Sequence, residues 1–149
     1  MNVIVMKKIF FIILSLSFYL ISDSFAKENF FEEAKNKYDK DQIEDSKFLF
    51  QRNIVFNPKD AKSYLYLAKI YNFEENEIEE LKNLKTTLLL EPSNEEAMYM
   101  LIEMELEKSN FSEVSDLAKK FNIICSNFCN KIKDIEQKLK DIQAKEDNN

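Results

Sequence analysis

The sequence predicts an all-α protein, a short array of stacked helix pairs, and three observations predict it. Pro58 and Pro92 stand in matching contexts, Asn57-Pro58-Lys59-Asp60-Ala61 and Glu91-Pro92-Ser93-Asn94-Glu95. Each proline follows an apolar stretch of helical period and precedes another, and the interval between them is the length of one helix–turn–helix repeat, about 34 residues. Gly is absent from all 149 residues. Tight hairpins, phosphate-cradling loops and strained turns draw on Gly because it reaches positive φ cheaply, whereas long helices joined by short turns need it least. With 45% hydrophobic and 32% charged residues, the composition is globular and the length suits one domain.

Residues 1–26 read as a secretory signal peptide. Lys7 and Lys8 form a charged start, Ile9–Ile21 is an uninterrupted apolar run, and Ser24-Phe25-Ala26 is a small-x-small cleavage site. The run is short for a membrane span, so the competing reading is an uncleaved anchor. No Cys lies near the cleavage site, which argues against a lipoprotein. Cleavage removes Lys7, Lys8 and Asp23 and takes the formal charge from −6 to −7. An acidic mature chain argues against nucleic acid or an anionic membrane as the main partner. After cleavage no integral membrane span is expected.

The middle unit, about 59–92, is the clearest. Its first helix carries Tyr64-x2-Leu67-Ala68-x2-Tyr71, a large residue, Leu, a small residue and Tyr on one helix face. Its second helix runs from about Glu77 to Leu90, with Ile78, Leu81, Leu84 and Leu88 on one face and Glu80 where a small residue is expected. In the third unit, about 93–126, Ser93 or Asn94 caps the helix, and Glu95 and Glu96 suit its positive N-terminal end. Met98-x2-Leu101-Ile102 fills the first three slots, and Ser109-Asn110-Phe111 starts the second helix. Ser126 follows Pro92 at the same interval that separates the two prolines. The first unit, about 27–58, is degenerate: Phe31-x2-Ala34-x3-Tyr38, then Ile43, Ser46, Phe50 and Asn53, with a turn one residue short.

These residues and their period resemble the tetratricopeptide repeat (TPR) family, over nearly all of the mature chain before its tail. The resemblance implies a right-handed α-solenoid of about three helix pairs with a concave groove lined by first helices. It also implies protein or peptide binding without catalysis. Carried onto this chain, the family's groove positions are Lys62, Leu65, Lys69 and Asn72 in the middle repeat and Glu96, Tyr99, Glu103 and Leu106 in the third. In the first repeat they fall on Asn29, Glu32, Asn36 and Asp39. An ordinary solvated helix face is the alternative for each.

Residues 127–145 carry Phe128, Ile132, Ile135, Leu139 and Ile142 as a narrow apolar stripe on a charged helix. The reading is a capping helix over the last repeat, with a short dimerising coiled coil as alternative. The protein is therefore expected as a monomer or weak homodimer, with residues 146–149 a frayed tail. Cys125 and Cys129 are the two cysteines, and in an oxidising compartment an even count favours a disulfide. Closure over so short a span favours a turn at Ser126-Asn127. Free thiols, or a redox or metal role, are the alternatives.

The absence of His removes Ser-His and Cys-His pairs and imidazole metal ligands, and the absence of Gly removes phosphate loops. No cofactor, metal or catalytic residue is expected. The function expected is a non-catalytic, protein-binding adaptor of a bacterial envelope, secreted to the periplasm of a Gram-negative-type cell. A regulatory or accessory subunit of an envelope enzyme or assembly complex is the alternative.

Overall fold

The computed structural model describes residues 30–146, with side chains as far as Asp141. The expected leader and cleavage site, Asn29, the side chain of Ile142 and the last three residues lie outside the described residues. Among those described there are seven α-helices and no strand: α1 Phe30–Tyr38, α2 Ile43–Phe56, α3 Ala61–Phe73, α4 Glu77–Leu90, α5 Glu95–Glu107, α6 Phe111–Ile124 and α7 Ile132–Glu146. A 3-10 turn, Cys129–Lys131, leads into α7. Consecutive helices pack on one another along the whole array, so the architecture is an α-solenoid of three pairs and a seventh helix.

Helices α4 and α5 start where an asparagine side chain satisfies a free backbone amide. Asn76 accepts from the Glu79 N–H at 3.2 Å, and Asn94 accepts from the Ala97 N–H at 2.9 Å. Glu77, Glu79 and Glu80 fill the first turn of α4, where the helix dipole favours negative charge. At the junctions after α2 and α4 the chain turns on proline, with Asp60 N–H donating to Asn57 O and Asn94 N–H to Glu91 O, both at 3.0 Å.

The turns inside the pairs correct the expected frame. Asp41, Glu75 and Ser109 all adopt left-handed backbone, with φ of 57°, 56° and 59°, and they recur at the interval of the prolines. In each turn the left-handed residue donates three residues back, as Asp41 does to Tyr38, Glu75 to Asn72 and Ser109 to Leu106. The next amide donates five residues back, from Gln42, Asn76 and Asn110. The first turn is therefore of full length rather than one residue short, and a single register runs unbroken through all three pairs. A Gly-free chain reaches this conformation with Asp, Glu and Ser at a steric cost of about 1–2 kcal/mol each.

Two cores form. The N-terminal one holds Phe30, Ala34, Leu49, Phe50, Leu67 and Tyr71, while the C-terminal one is built on Leu84, Met98, Ile102, Val114, Phe121 and Ile135. Helix α3 divides its faces between them, Leu67 and Ile70 to one, Leu65 and Ala68 to the other. On α4 Leu84 is buried and Leu81 and Leu88 pack against the C-terminal core as expected, whereas Ile78 departs. Ile78 is 80% exposed, and the buried residues are Glu80, Asn83, Leu84 and Thr87. Glu80 takes the small-residue slot itself, 4% exposed, and accepts from Asn72 Nδ2 at 3.1 Å. Burial raises its carboxyl pKa, against the lowering effect of the Asn72 bond.

Candidate functional site: the first-helix face

The first helices lie side by side, and contacts across them define one continuous face. Tyr66 of α3 is its N-terminal centre. Its ring stacks on Phe50 at 4.9 Å and takes Tyr38 and Phe31 edge-on at 5.2 and 5.8 Å. Such ring pairs add about 0.5–1.5 kcal/mol each beyond the area they bury. Tyr38 and Tyr66 remain half-buried, so this aromatic patch presents surface. Burial pushes the Tyr38 phenol pKa up, while the Lys69 charge pulls it down.

Lys69 ties α3 to α5. Its ammonium lies 2.6 Å from Glu96 Oε1 and 4.7 Å above the Tyr66 ring. Further along, Tyr99 leans on Phe121 at 6.3 Å, and Lys131 sits 5.1 Å over its ring. Glu103 accepts from Lys138 Nζ at 2.8 and 3.0 Å, and this bond raises the Lys138 pKa. Lys131 ends the 3-10 turn that leads into α7, and Lys138 lies on α7 itself. Helix α7 therefore takes the place of the first helix of a fourth pair, its apolar side on α6 and its lysines on α5. A cavity of about 270 Å3 opens between α3 and α5, lined by Asn72, Glu80, Tyr99, Met100, Glu103 and Met104.

The residues expected at the groove are not all brought together. Lys69, Glu96, Tyr99 and Glu103 lie together on this face, half-buried and engaged as described. Asn72 is exposed beside them, and Leu106 is half-buried against the C-terminal core. Lys62 is exposed at the start of α3, where it lines an open pocket with Phe31, Phe56 and Pro58. Leu65 is corrected: it is 6% exposed and belongs to the C-terminal core, because its side of α3 packs under α5.

In the first repeat the expected positions are one residue off. Glu32, Asn36 and Asp39 are exposed, and Asp39 is engaged by Lys35 at 2.6 Å. The residues equivalent to Leu65, Lys69 and Asn72 are Phe31, Lys35 and Tyr38. Counting back one strict proline interval from the middle repeat finds them. A frame with a shortened turn hides them, and Tyr66 escapes because it follows a groove position rather than occupying one.

The end of the array is tied down twice. Cys125 and Cys129 form a disulfide with a Cα–Cα distance of 5.2 Å, across the bend at 126–128. Glu95, at the start of α5, accepts from Ser126 Oγ at 2.6 Å and from the Asn127 and Phe128 amides at 2.9 and 2.8 Å. These bonds, that of Ser126 foremost, hold the Glu95 carboxyl at about 2.

No protein-family model and no curated protein sequence matches the chain. Solved structures do resemble it. The Yersinia enterocolitica type III secretion translocator chaperone SycD superposes with a TM-score of 0.68 at 17% identity, over 80% of this chain and 85% of SycD. SycD in complex with a peptide of the translocator YopD gives the same TM-score and identity, over 80% of this chain and 93% of the other. A chain of the CopN–Scc3 complex gives 0.60 at 16% identity, over 81% and 71%. At these identities the likeness is one of fold: a TPR-like all-α solenoid.

Proposed function

We propose that this protein is a non-catalytic adaptor that holds an extended segment of another envelope protein along the face of its first helices. The observation that carries the reading is the row of half-buried aromatic rings, Phe31, Tyr38, Tyr66 and Tyr99, running along α1, α3 and α5 beside the Lys69–Glu96 pair. Rigid aromatic surface flanked by charge is what anchors a partner segment at low entropic cost. The similar SycD fold in complex with a translocator peptide supports the same use of the solenoid. The leader expected at residues 1–26 supports export to the periplasm as part of this reading, and the Cys125–Cys129 disulfide supports an oxidising compartment.

Site-specific photocrosslinking in the envelope of the native host tests this reading. A photoreactive residue at Tyr66 or Tyr99 should capture one discrete partner, while one at Lys140, exposed on α7, should not. Tyr99→Ala combined with Lys69→Glu should abolish partner pull-down with helicity unchanged. Equal capture at all three positions, or pull-down that survives the double variant, would refute the assignment.

A further inference from the structure

The outer helices carry a second repeating feature that the groove does not use. Val55, Leu89 and Ile123 recur at the same interval as the prolines, one in the last turn of each of α2, α4 and α6. They are 75%, 81% and 83% exposed. One turn earlier on the same faces lie Arg52, Lys85 and Lys119-Lys120, because positions three and four apart share a helix face. Phe48 and Phe56 add exposed apolar surface on α2.

Charge is segregated along these helices. Their acidic residues, Glu44, Asp45, Glu77, Glu79, the buried Glu80, Glu113 and Asp116, sit toward the N-terminal ends. No Asp or Glu occurs in 46–59, in 81–90 or in 117–133. Lys85 and Lys120 have no ion-pair partner among the described residues. The helix dipole accounts for cations near C-termini, but it gives no reason to expose an aliphatic side chain beside them three times in register. The C-terminal turns of α4 and α6 are thus apolar and carry lysines, with Glu91, which accepts from Asn94 Nδ2 at 2.9 Å, the first carboxylate beyond α4.

We infer that this edge, Val55, Leu89 and Ile123 with Lys85 and Lys120, is a docking surface for an anionic phospholipid membrane. Charge complementarity selects the occupant: lysines meet lipid phosphates, and single aliphatic side chains enter the headgroup–acyl boundary independently of one another. A protein partner would seat its anchors in pockets, yet none of the cavities described is lined by Val55, Leu89 or Ile123. The edge lies on the second helices, so the surface stands independently of what the first-helix face holds. An adaptor bound this way would keep that face open while resting on the membrane.

The chain has no Trp, so a single introduced Trp reports one position alone. Leu89→Trp, Ile123→Trp and, as control, the equally exposed Ile78→Trp are prepared in the full chain. They are mixed with vesicles of phosphatidylglycerol or of phosphatidylcholine carrying brominated acyl chains. On phosphatidylglycerol the emission at 89 and 123 should shift to the blue and be quenched. The emission at 78 should stay unchanged, and none should respond to phosphatidylcholine. Lys85→Gln and Lys120→Gln should each weaken partition about five-fold. Comparing positions within one chain keeps the result independent of any contact the leader makes. Emission at 89 and 123 that responds no more than at 78 overturns the inference. A lipid-independent blue shift growing with protein concentration overturns it too, assigning the edge to a second copy.

Discussion

At the N-terminal end of the array, Phe31, Tyr38, Phe50 and Tyr66 meet ring on ring, and no covalent tie is present among the described residues. At the C-terminal end the core turns to Leu, Ile, Met and Val, and the last helix is fastened by a disulfide and by three hydrogen bonds to Glu95. The junctions show the same contrast. After α2, Asn53 Nδ2 donates to Asp60 at 2.7 Å and to Ser63 Oγ at 2.8 Å, a noncovalent knot around Pro58. After α6, where Ser126 replaces the proline, cysteines hold the bend instead. A solenoid end has an open apolar face, and the two ends close it by different means: aromatic mass at one, a staple on a narrow amphipathic helix at the other.

The largest way to break this comparison is Phe50→Ala. The side chain is fully buried beneath Tyr66, so the loss should be about 3–5 kcal/mol in urea denaturation, with the near-ultraviolet tyrosine signal reduced. If the two cores are separable, hydrogen exchange in α7 changes little; equal loss of protection there would make the array one cooperative unit. Next comes the staple. Cys125→Ser with Cys129→Ser removes a loop constraint of about 2 kcal/mol. Exchange should accelerate in α7 and the 126–131 segment, and not in α1 or α2.

Smaller still are the left-handed turns, which test what the ends share. Asp41→Gly, Glu75→Gly and Ser109→Gly should each stabilise the protein by about 1 kcal/mol, since Gly relieves the steric cost and loses part of that gain to chain entropy. Similar gains at all three would confirm that the frame is common to both halves. The most local effect is that of pH. The Glu95 carboxyl is lowered from 4.5 to about 2 in the folded chain. Its contribution is therefore fully present above pH 4.5 and lost as pH falls toward 2. The Phe128 amide should lose protection across that window, and Glu95→Gln should flatten the dependence.

Much of this is legible in the chain. The proline period sets the frame, the bounds expected for α4 match the observed Glu77–Leu90, and the paired cysteines meet at a bend. What sequence reasoning misses has two causes, the turns and the packing. Asp41, Glu75 and Ser109 carry no common side-chain signature for a left-handed turn, so the first turn reads as shortened, and that frame departs from the strict period, falls one residue off and leaves the aromatic face unseen. Ile78 reads as a core residue by spacing but faces solvent, while Glu80 does the reverse because Asn72 is there to meet it.

By itself the sequence determined what depends on local periodicity: helix after helix, the repeat length, the places where proline ends one unit and Asn94 starts the next. Tertiary structure alone decided which faces meet. Leu65 is buried and Val55, Leu89 and Ile123 are exposed because burial depends on what neighbouring helices cover. In the same way, Glu95 binds a turn distant in sequence because α5 and the end of α6 are adjacent only in the folded array. Hydrophobicity along the chain states which side chains favour burial, and only packing in three dimensions assigns the places where they find it.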